Sequence, residues 1–285
     1  MYLKVGLLDL LRALYSPKAK LKDMQLIDTH THIHFDNYGL DSEEVLISAN
    51  KANVAGLIAV ACDLETSRAG LDFALTHQNV WSTVGVHPHE ADQFLADSAN
   101  ERHLKDLLDN KISKLVAIGE CGLDYFYDHS SKESQIKLLE MHLQLASEYA
   151  VPVSFHVRDA HSDFWPVLDN FRGVRGVLHS FSATKKELAE ALKRELYIGL
   201  NGIMTFTKDE SQLEAAKMVP KDKLLLETDA PYLSPKPFRG KICKPEYMVK
   251  TAEFLSDIRG EDIEALATYT GKNAKTLFGI EIENR

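Results

Sequence analysis

The segment LIDTHTH, residues 26–32, places two histidines directly after a short apolar run. Four more apolar runs end in a histidine or an acid: LVAIGEC (115–121), PVSFHV (152–157), GVLHS (176–180) and LLLETD (224–229). The six candidate metal ligands are His30, His32, Glu120, His156, His179 and Asp229. Imidazoles and carboxylates suit divalent first-row metals, and six are too many for one closed tetrahedral site. The pattern predicts two ions that share a bridging carboxylate and a reactive water.

These runs belong to a set of eight that have the length of β-strands. They lie around 25–29, 56–61, 80–86, 115–120, 152–157, 175–180, 196–200 and 223–228. Most are nearly continuous in apolar residues, as expected of parallel strands that are buried on both faces. Eight strands that alternate with helices predict an α/β fold, a closed (β/α)8 TIM barrel, with its chemistry at the carboxyl ends of the strands. An open doubly wound sheet would not gather ligands from five different strands.

Helical periodicity occupies the intervals between the runs. It is clearest over 132–150, and it recurs over 184–194, where Thr184 is the expected cap. A last helical stretch, 261–278, is expected to be interrupted at Gly271.

No linker or low-complexity segment divides the chain, so we expect one hydrolase barrel over 25–285, preceded by an extension over 1–24. The extension would form a helix with one apolar face, made of Leu7, Leu8, Leu11, Leu14 and Tyr15. Packing on the outside of the barrel is the simplest interpretation, and docking to a protein partner or a membrane surface is the alternative. Because Asp9 and Arg12 interrupt the apolar run, we expect neither a membrane span nor a signal peptide.

The composition restricts the partners and the compartment. The 285 residues include 33 Lys and Arg against 42 Asp and Glu, a net charge of −9. An acidic chain is not a bulk binder of polyanions, so any contact with nucleic acid must use a local basic patch or metal ions. Three cysteines without a CxxC motif indicate a reducing compartment, and we expect a cytoplasmic protein.

The first two candidate ligands have a chelating spacing. His30 and His32 are two residues apart, so on a strand their side chains point to the same side. His34 makes 32/34 a second possible pair, but His34 is expected to lie already in the loop. An isolated HxH would be weak evidence, since most buried histidines serve only the core. Four histidines and two acids at strand ends are much harder to explain in that way.

The two acids have different expected roles. The carboxylate of Glu120 follows an apolar run and is costly to bury unless it is paired or metal-bound, and on a central strand it can bridge two ions. Asp229 could bind one metal and accept a proton from the attacking water, although it could instead cap the next segment. Glu227 should point the other way and support a ligand.

Four further side chains are candidate substrate contacts: His87, Asp124, Arg158 and Arg239. His87, at the end of strand three, could contact a phosphate or a carbonyl, or simply pack. Asp124 could orient a ligand histidine or contact the substrate. Arg158 could clamp a phosphate oxygen, or form an ion pair with a neighbouring aspartate, Asp159 or Asp163.

Arg239 belongs to a cationic cluster after strand eight, together with Lys236, Lys241 and Lys244. Such clusters are usually solvated faces, but beside a metal site this one could guide phosphates toward the pocket. Tyr125, Phe126, Tyr127 and Phe206 could stack on bases or could be packing residues.

The chain resembles the TatD family of metal-dependent deoxyribonucleases, which belong to the amidohydrolase-like barrels. The matching blocks are IDTHTH, VGVHPHEAD, AIGECGLDY, VPVSFHVRDA, GVLHSFSAT, LLLETDAPYLSP and GKNAKTLFG, in order over about 25–280. The resemblance implies a two-metal site in which His30, His32, Glu120 and Asp229 surround one ion. It implies that Glu120, His156 and His179 surround the other, with His87 and Arg158 at pocket positions. RGKICKP and GLNGIMTF depart from the family pattern on pocket loops.

The leading hypothesis is a metal-dependent deoxyribonuclease or exonuclease that cleaves DNA phosphodiester bonds with water activated by two divalent ions. Zn, Mn, Fe or Mg would each suit these ligands. A second hypothesis is an ester or amide hydrolase on the same barrel, such as an aminoacyl-tRNA deacylase. A third is a non-catalytic subunit that binds a protein partner through the N-terminal helix, although the intact ligand set argues against it.

Overall fold

The computed structural model of the chain describes residues 25–283. Its eight parallel strands follow the chain order β1 to β8, each hydrogen-bonded to the next. They are β1 (Leu26–Thr31), β2 (Val54–Ala59), β3 (Val80–Val84), β4 (Leu115–Asp124), β5 (Val153–Arg158), β6 (Gly176–Leu178), β7 (Tyr197–Leu200) and β8 (Leu224–Leu226). A parallel bridge between Thr31 and Ala230 brings the last strand beside the first. The predicted (β/α)8 TIM barrel is confirmed.

Helices occupy the connections between the strands. They are α1 (Ser42–Lys51), α2 (Leu64–Thr76), α3 (Ala91–Leu95), α4 (Ala99–Asp109), α5 (Lys132–Tyr149), α6 (His161–Asp169), α7 (Lys185–Lys193), α8 (Glu210–Met218), α9 (Met248–Arg259) and α10 (Ile263–Phe278). Short 3-10 turns cover Pro88–Glu90, Gly202–Thr205 and Pro245–Tyr247. Most of the buried apolar residues form one large cluster, to which both the strands and these helices contribute.

The predicted helices over 132–150 and 184–194 are confirmed as α5 and α7. A side chain caps the start of each helix: the Ser131 hydroxyl accepts from the Ser134 N–H, and the Thr184 hydroxyl accepts from the Lys186 N–H. The predicted interruption of the last helix is wrong, since α10 runs unbroken through Gly271. A Cβ there would lie 3.0 Å from the carbonyl oxygen of Gln25, so glycine permits close packing against the start of β1.

The barrel interior changes character along its strands. A second apolar cluster takes Ile27, Ile58, Trp81, Val116, Val177 and Leu225 from six strands and closes with Leu277, Phe278 and Ile280 from the C-terminal end of the chain. In β1, β4, β6 and β8, these apolar residues precede ligand-type residues that lie on the same strand or directly after it. Because side chains two apart on a strand share a face, Val177 faces the same way as His179, and Leu225 the same way as Glu227. Polar groups therefore follow the apolar ones toward the carboxyl ends of the strands.

The extension over 1–24, with its predicted helix and partner-docking role, lies outside the described residues. Between residues 25 and 283, no helix combines the length and the apolar character that crossing a membrane requires.

Candidate metal centre and substrate cavity

The six predicted ligands converge at the carboxyl end of the barrel. On one side of the cluster, Glu120 Oε2 lies 3.3 Å from His30 Nε2 and 3.7 Å from His32 Nε2. Asp229 Oδ1 lies 3.2 Å from His32 Nε2 and 3.8 Å from His30 Nε2. Four side chains from β1, β4 and the segments after β1 and β8 thus direct nitrogen and oxygen atoms into one small volume.

The other oxygen of the same glutamate faces a second group. Glu120 Oε1 lies 2.8 Å from His156 Nδ1 and 2.9 Å from His179 Nε2. His87 Nε2 is farther away, at 3.7 Å. A carboxylate whose two oxygens face separate groups of ligand atoms has the arrangement expected of a bridging ligand.

Glycine at position 119 allows Glu120 to reach this position. Gly119 has φ of +137°, and a Cβ on it would lie 2.6 Å from the Ser154 carbonyl oxygen, so no other residue fits there without rearrangement. The Thr83 hydroxyl donates to the Gly119 carbonyl, and the Glu120 N–H donates to the carbonyl of Ala61 at 2.7 Å. The backbone that carries the glutamate is therefore held by β3 and by the segment after β2.

The far sides of the histidine rings are also occupied by partners. His32 Nδ1 donates to the Val60 carbonyl at 2.7 Å, which leaves a lone pair on Nε2 when the ring is neutral. His30 Nδ1 lies 3.3 Å from the Ser154 hydroxyl. His179 Nδ1 lies 3.5 Å from Glu227 Oε1. Glu227 does not point away from the cluster, because His30, His179 and Glu227 are mutually close enough to form a further group that could hold a metal ion. Outer partners of this kind fix the orientation of metal-binding histidines.

The donor set fits a divalent cation. His30 Nε2 and His32 Nε2 lie only 3.2 Å apart, deep in the barrel. Two neutral imidazoles that present lone pairs at this distance repel each other, and either a shared proton or a cation between them removes the repulsion. With the two carboxylates beside them, a divalent cation is the natural occupant, and His30, His32 and Glu120 are mutually close enough to hold one.

The electrostatics of the cluster favour ionised carboxylates. Burial alone would raise the pKa of Glu120, but the nearby His179, His30 and His87 lower it well below its usual range. Burial would likewise raise the pKa of Asp229, and the hydrogen bond with His32, together with the charges of the neighbouring histidines, lowers it. Both acids therefore present negative charge at neutral pH, which metal binding requires.

Two predicted substrate contacts lie against the ligands. His87 sits beside His156, with ring centroids 4.5 Å apart, and its Nδ1 accepts from the His89 N–H at 3.2 Å. Asp124 Oδ2 lies 2.8 Å from His156 Nε2, and the carboxylate is almost fully buried. Of the two roles considered for Asp124, the geometry favours orienting a ligand histidine.

The two predicted arginines have different settings. Arg158 is exposed and lines the cavity, with its guanidinium carbon 3.7 Å from the Phe126 ring centroid. Throughout residues 25–283, no carboxylate approaches it within ion-pair distance, and Asp163 instead accepts from the Tyr125 hydroxyl. Arg239 lies 3.7 Å over the Phe206 ring and donates to the Ser234 carbonyl. It is exposed and does not line the cavity, so its substrate contact stays a prediction.

The cavity above the ligands has a volume of about 670 Å³, the size of a small-molecule site. Its walls include three residues that the sequence reasoning missed: Phe35, Cys62 and Tyr232. Cys62 and Tyr232 follow β2 and β8, so their positions after strand ends could have identified them. The Cys62 sulfur lies 3.8 Å from Glu120 Oε2. Ser154 was also missed, although it precedes His156 by two residues on β5 and must share its face.

His34 does not join the cluster. It lies in the turn after β1, as predicted, where it is buried. Burial, followed by the charge of His32, lowers its pKa to about 3. Among the described residues it belongs to none of the groups that could hold a metal ion, so the favoured pair is 30/32.

Comparison with known proteins places this chain in a family. Residues 27–279 match the family model described as TatD related DNase. The 3′–5′ ssDNA/RNA exonuclease TatD of Escherichia coli K12 is 34% identical over 264 residues, covering 90% of this chain and 99% of its own. The metal-dependent hydrolase YabD of Bacillus subtilis is 34% identical over 258 residues, with coverage of 90% and 99%.

A solved structure agrees with these matches. The crystal structure of YjjV, a TatD homologue from E. coli K12, aligns with a TM-score of 0.84 at 29% identity, covering 90% of this chain and 98% of that chain. The chain belongs to the TatD-related DNase family. The resemblance seen in the sequence and the prediction of a TatD-type metal-dependent hydrolase are confirmed.

Proposed function

We propose that the protein is a metal-dependent exonuclease that hydrolyses phosphodiester bonds at the 3′ end of single-stranded DNA. The observation that carries this proposal is the placement of Glu120, whose two carboxylate oxygens face two separate groups of ligand atoms. The named activity of the E. coli relative supplies the substrate class and the polarity.

Each ligand group has the composition for one divalent cation. His30, His32, Asp229 and Glu120 Oε2 would hold the first cation, and His156, His179 and Glu120 Oε1 the second. When bound, such a pair of cations lowers the pKa of water and neutralises charge on a phosphate. Imidazole with carboxylate suits Zn, Mn or Fe, and Mg becomes suitable when substrate phosphates complete its ligands.

The protein side chains then have separate tasks. Asp229 is held by His32 at the wall of the cavity and is ionised, so its carboxylate can accept the proton that the attacking water loses. His87 and Arg158 line the same cavity and present nitrogen donors to the non-bridging oxygens of the phosphate. Asp124 keeps the ring of His156 in place through its contact with Nε2.

The exposed cations after β8 would guide the polyanion toward the cavity. Lys236, Arg239 and Lys241 are exposed in this segment, and Arg239 is held against Phe206. In a chain with a net charge of −9, such a local patch supplies attraction that the surface as a whole lacks. We also propose a cytoplasmic location, because all three cysteines are unpaired thiols, which suits a reducing compartment.

The test combines metal analysis with digestion of single-stranded DNA that is labelled at either end. We expect two equivalents of divalent metal per chain, and stepwise loss of nucleotides from the 3′ end. Glu120→Ala should lower the metal content and abolish digestion. Glu140→Ala, which removes an exposed glutamate on α5, is the matched control and should behave as the wild type.

An aminoacyl-tRNA substrate is assayed in parallel. Ester hydrolysis without DNA digestion would reject the exonuclease proposal in favour of an aminoacyl-tRNA deacylase. The triple variant Lys236→Ala, Arg239→Ala, Lys241→Ala should weaken DNA hydrolysis and reduce its salt dependence, while sparing a small neutral ester. DNA digestion that survives unchanged in Glu120→Ala would overturn the mechanism, and metal binding without any hydrolysis would favour a non-catalytic subunit.

A further inference from the structure

The loop after β4 exposes two aromatic side chains beside the cavity. Phe126 is 55% exposed and Tyr127 is 44% exposed, although burial of large aromatic rings is normally favourable. Tyr127 lines the cavity that contains Glu120, and so does Arg158, whose guanidinium lies 3.7 Å from the Phe126 centroid and 5.0 Å from that of Tyr127. Flat apolar and cationic groups are therefore gathered at one side of the ligand cluster.

This loop is held in a fixed position relative to the metal centre. Asp124 Oδ1 accepts from the N–H groups of Phe126 at 2.9 Å and Tyr127 at 3.2 Å. The other oxygen of the same carboxylate, Oδ2, lies 2.8 Å from His156 Nε2. One buried side chain thus connects the aromatic loop to a candidate ligand histidine, and it holds the loop in place relative to the ligand cluster.

The opposite wall of the cavity is aromatic as well. Tyr232 follows β8, is 53% exposed and lies with its ring centroid 6.2 Å from that of His32. Because β4 and β8 are four strands apart in the barrel order, Tyr127 and Tyr232 lie on opposite sides of the cavity. The ligand cluster therefore lies between two aromatic walls.

We propose that Tyr127 and Arg158 form a stacking subsite for one unpaired nucleobase next to the scissile phosphate, with Phe126 supporting the guanidinium. Aromatic rings and guanidinium planes are the surfaces on which proteins stack unpaired bases, largely without regard to sequence. The positive charge of Arg158 suits the backbone that accompanies the base, and no carboxylate between residues 25 and 283 competes for it. This inference rests on the proposed function, since it identifies where that substrate's base would bind.

Direct binding is the primary test, because it does not depend on cleavage. A short single-stranded oligonucleotide carries cleavage-resistant phosphorothioate linkages at its 3′ end and 2-aminopurine at each of the last three positions in turn. On the metal-loaded protein, we expect fluorescence quenching at one of these positions. Tyr127→Ala should raise Kd about tenfold and remove the quenching, whereas Tyr127→Phe should retain both.

A second oligonucleotide, abasic at the quenched position, separates stacking from structural damage. The wild type should bind it about tenfold more weakly than the intact oligonucleotide, and Tyr127→Ala should then cause no further loss. Phe126→Ala should weaken binding of both oligonucleotides, because it releases Arg158. Met218→Ala, which removes an exposed side chain at the end of α8, is the control and should change nothing.

The outcomes distinguish this subsite from the nuclease activity. Equal loss of binding of intact and abasic oligonucleotides in Tyr127→Ala, or no loss at all, would overturn the stacking subsite while leaving the exonuclease proposal intact. Quenching and base-dependent binding by a wild-type protein that fails to cleave DNA would establish the subsite and reject the proposed reaction.

Discussion

The two ends of the barrel interior are built from the same strands but serve different purposes. At the amino-terminal end, Val177 and Leu225 pack with the end of α10 in a continuous apolar cluster. Two residues further along the same faces, His179 and Glu227 are buried polar groups. The apolar end contributes stability by removing surface from water, whereas the polar end costs stability, because buried charges must be paired or bound to a cation.

We therefore expect substitutions at the polar end of the interior to affect activity and substitutions at the apolar end to affect stability. Groups at the polar end are arranged for a cation and a substrate, so their loss should appear in kcat or metal affinity. Groups at the apolar end contact neither, so their loss should appear in the free energy of unfolding.

Of four substitutions that test this comparison, Asp229→Asn should have the largest effect. The substitution keeps the shape of the side chain but removes the negative charge and the proton acceptor beside His32. We expect kcat to fall about 10³-fold on single-stranded DNA, with little change in the urea midpoint of the metal-free protein. A loss of less than tenfold would mean that Asp229 is not the general base.

Leu225→Ala should have the opposite signature. Leu225 is fully buried in the apolar cluster, so truncation leaves a cavity and should lower the free energy of unfolding by about 2–5 kcal/mol. Urea denaturation measures this loss, and kcat per folded molecule should stay within about twofold. Met218→Ala, at a 57% exposed position, should cost less than about 0.5 kcal/mol. A large fall in kcat for Leu225→Ala would show that the two ends are coupled.

A buried histidine outside the ligand cluster, His142, allows the stability of a buried polar group to be tested without a metal. His142 on α5 donates from Nδ1 to the Leu138 carbonyl and accepts at Nε2 from the Val86 N–H, so it is held neutral. Burial lowers its pKa to about 4. Between pH 6.5 and 4 the unfolded chain binds a proton at this position and the folded chain does not.

His142 therefore contributes stability that is fully present above pH 6.5 and is lost as the pH falls toward 4. The contribution is on the order of 3 kcal/mol. Urea titrations of the metal-free protein at pH 7.5 and pH 4.5 measure it, and His142→Gln should show a shallower decline with pH than the wild type. Parallel declines would indicate that the ring can be protonated in the folded state.

Glu227→Gln should have the smallest effect of the four. Its carboxylate lies 3.5 Å from His179 Nδ1, the ring nitrogen that does not face Glu120. We expect metal affinity to fall about 10- to 100-fold, measured by competition with a chelator. Glu140→Gln, on the exposed face of α5, should leave the affinity unchanged. Unchanged metal affinity in Glu227→Gln would show that the charge of this carboxylate does not contribute to metal binding.

Much of the fold and of the ligand cluster could be predicted because both depend on local pattern. Continuous apolar runs that alternate with helical periodicity indicate parallel strands, and a barrel of parallel strands brings all their carboxyl ends to one rim. His30 and Glu120 are 90 residues apart in sequence, yet each follows such a run, so their meeting could be inferred without coordinates.

Features that depend on three-dimensional packing were less accessible. The last helix continues through Gly271, where the missing side chain permits close packing against Gln25, and residue propensity does not reveal such a contact. Arg158 packs on Phe126 and not beside Asp159 or Asp163, because the β4 loop places a ring within its reach. Arg239 packs on Phe206, away from the cavity wall. This position could not be predicted, because the long segment after β8 has no periodicity from which its path can be inferred.

The sequence by itself determined the barrel, its family and the identity of the six ligand-type side chains, because strand periodicity and strand-end position are local properties. Only the tertiary structure decided that the two oxygens of Glu120 face different ligand groups, and that Asp124 connects the aromatic loop to His156. Those arrangements depend on distances of a few ångströms between strands, which are set by packing across the barrel and leave no pattern along the chain.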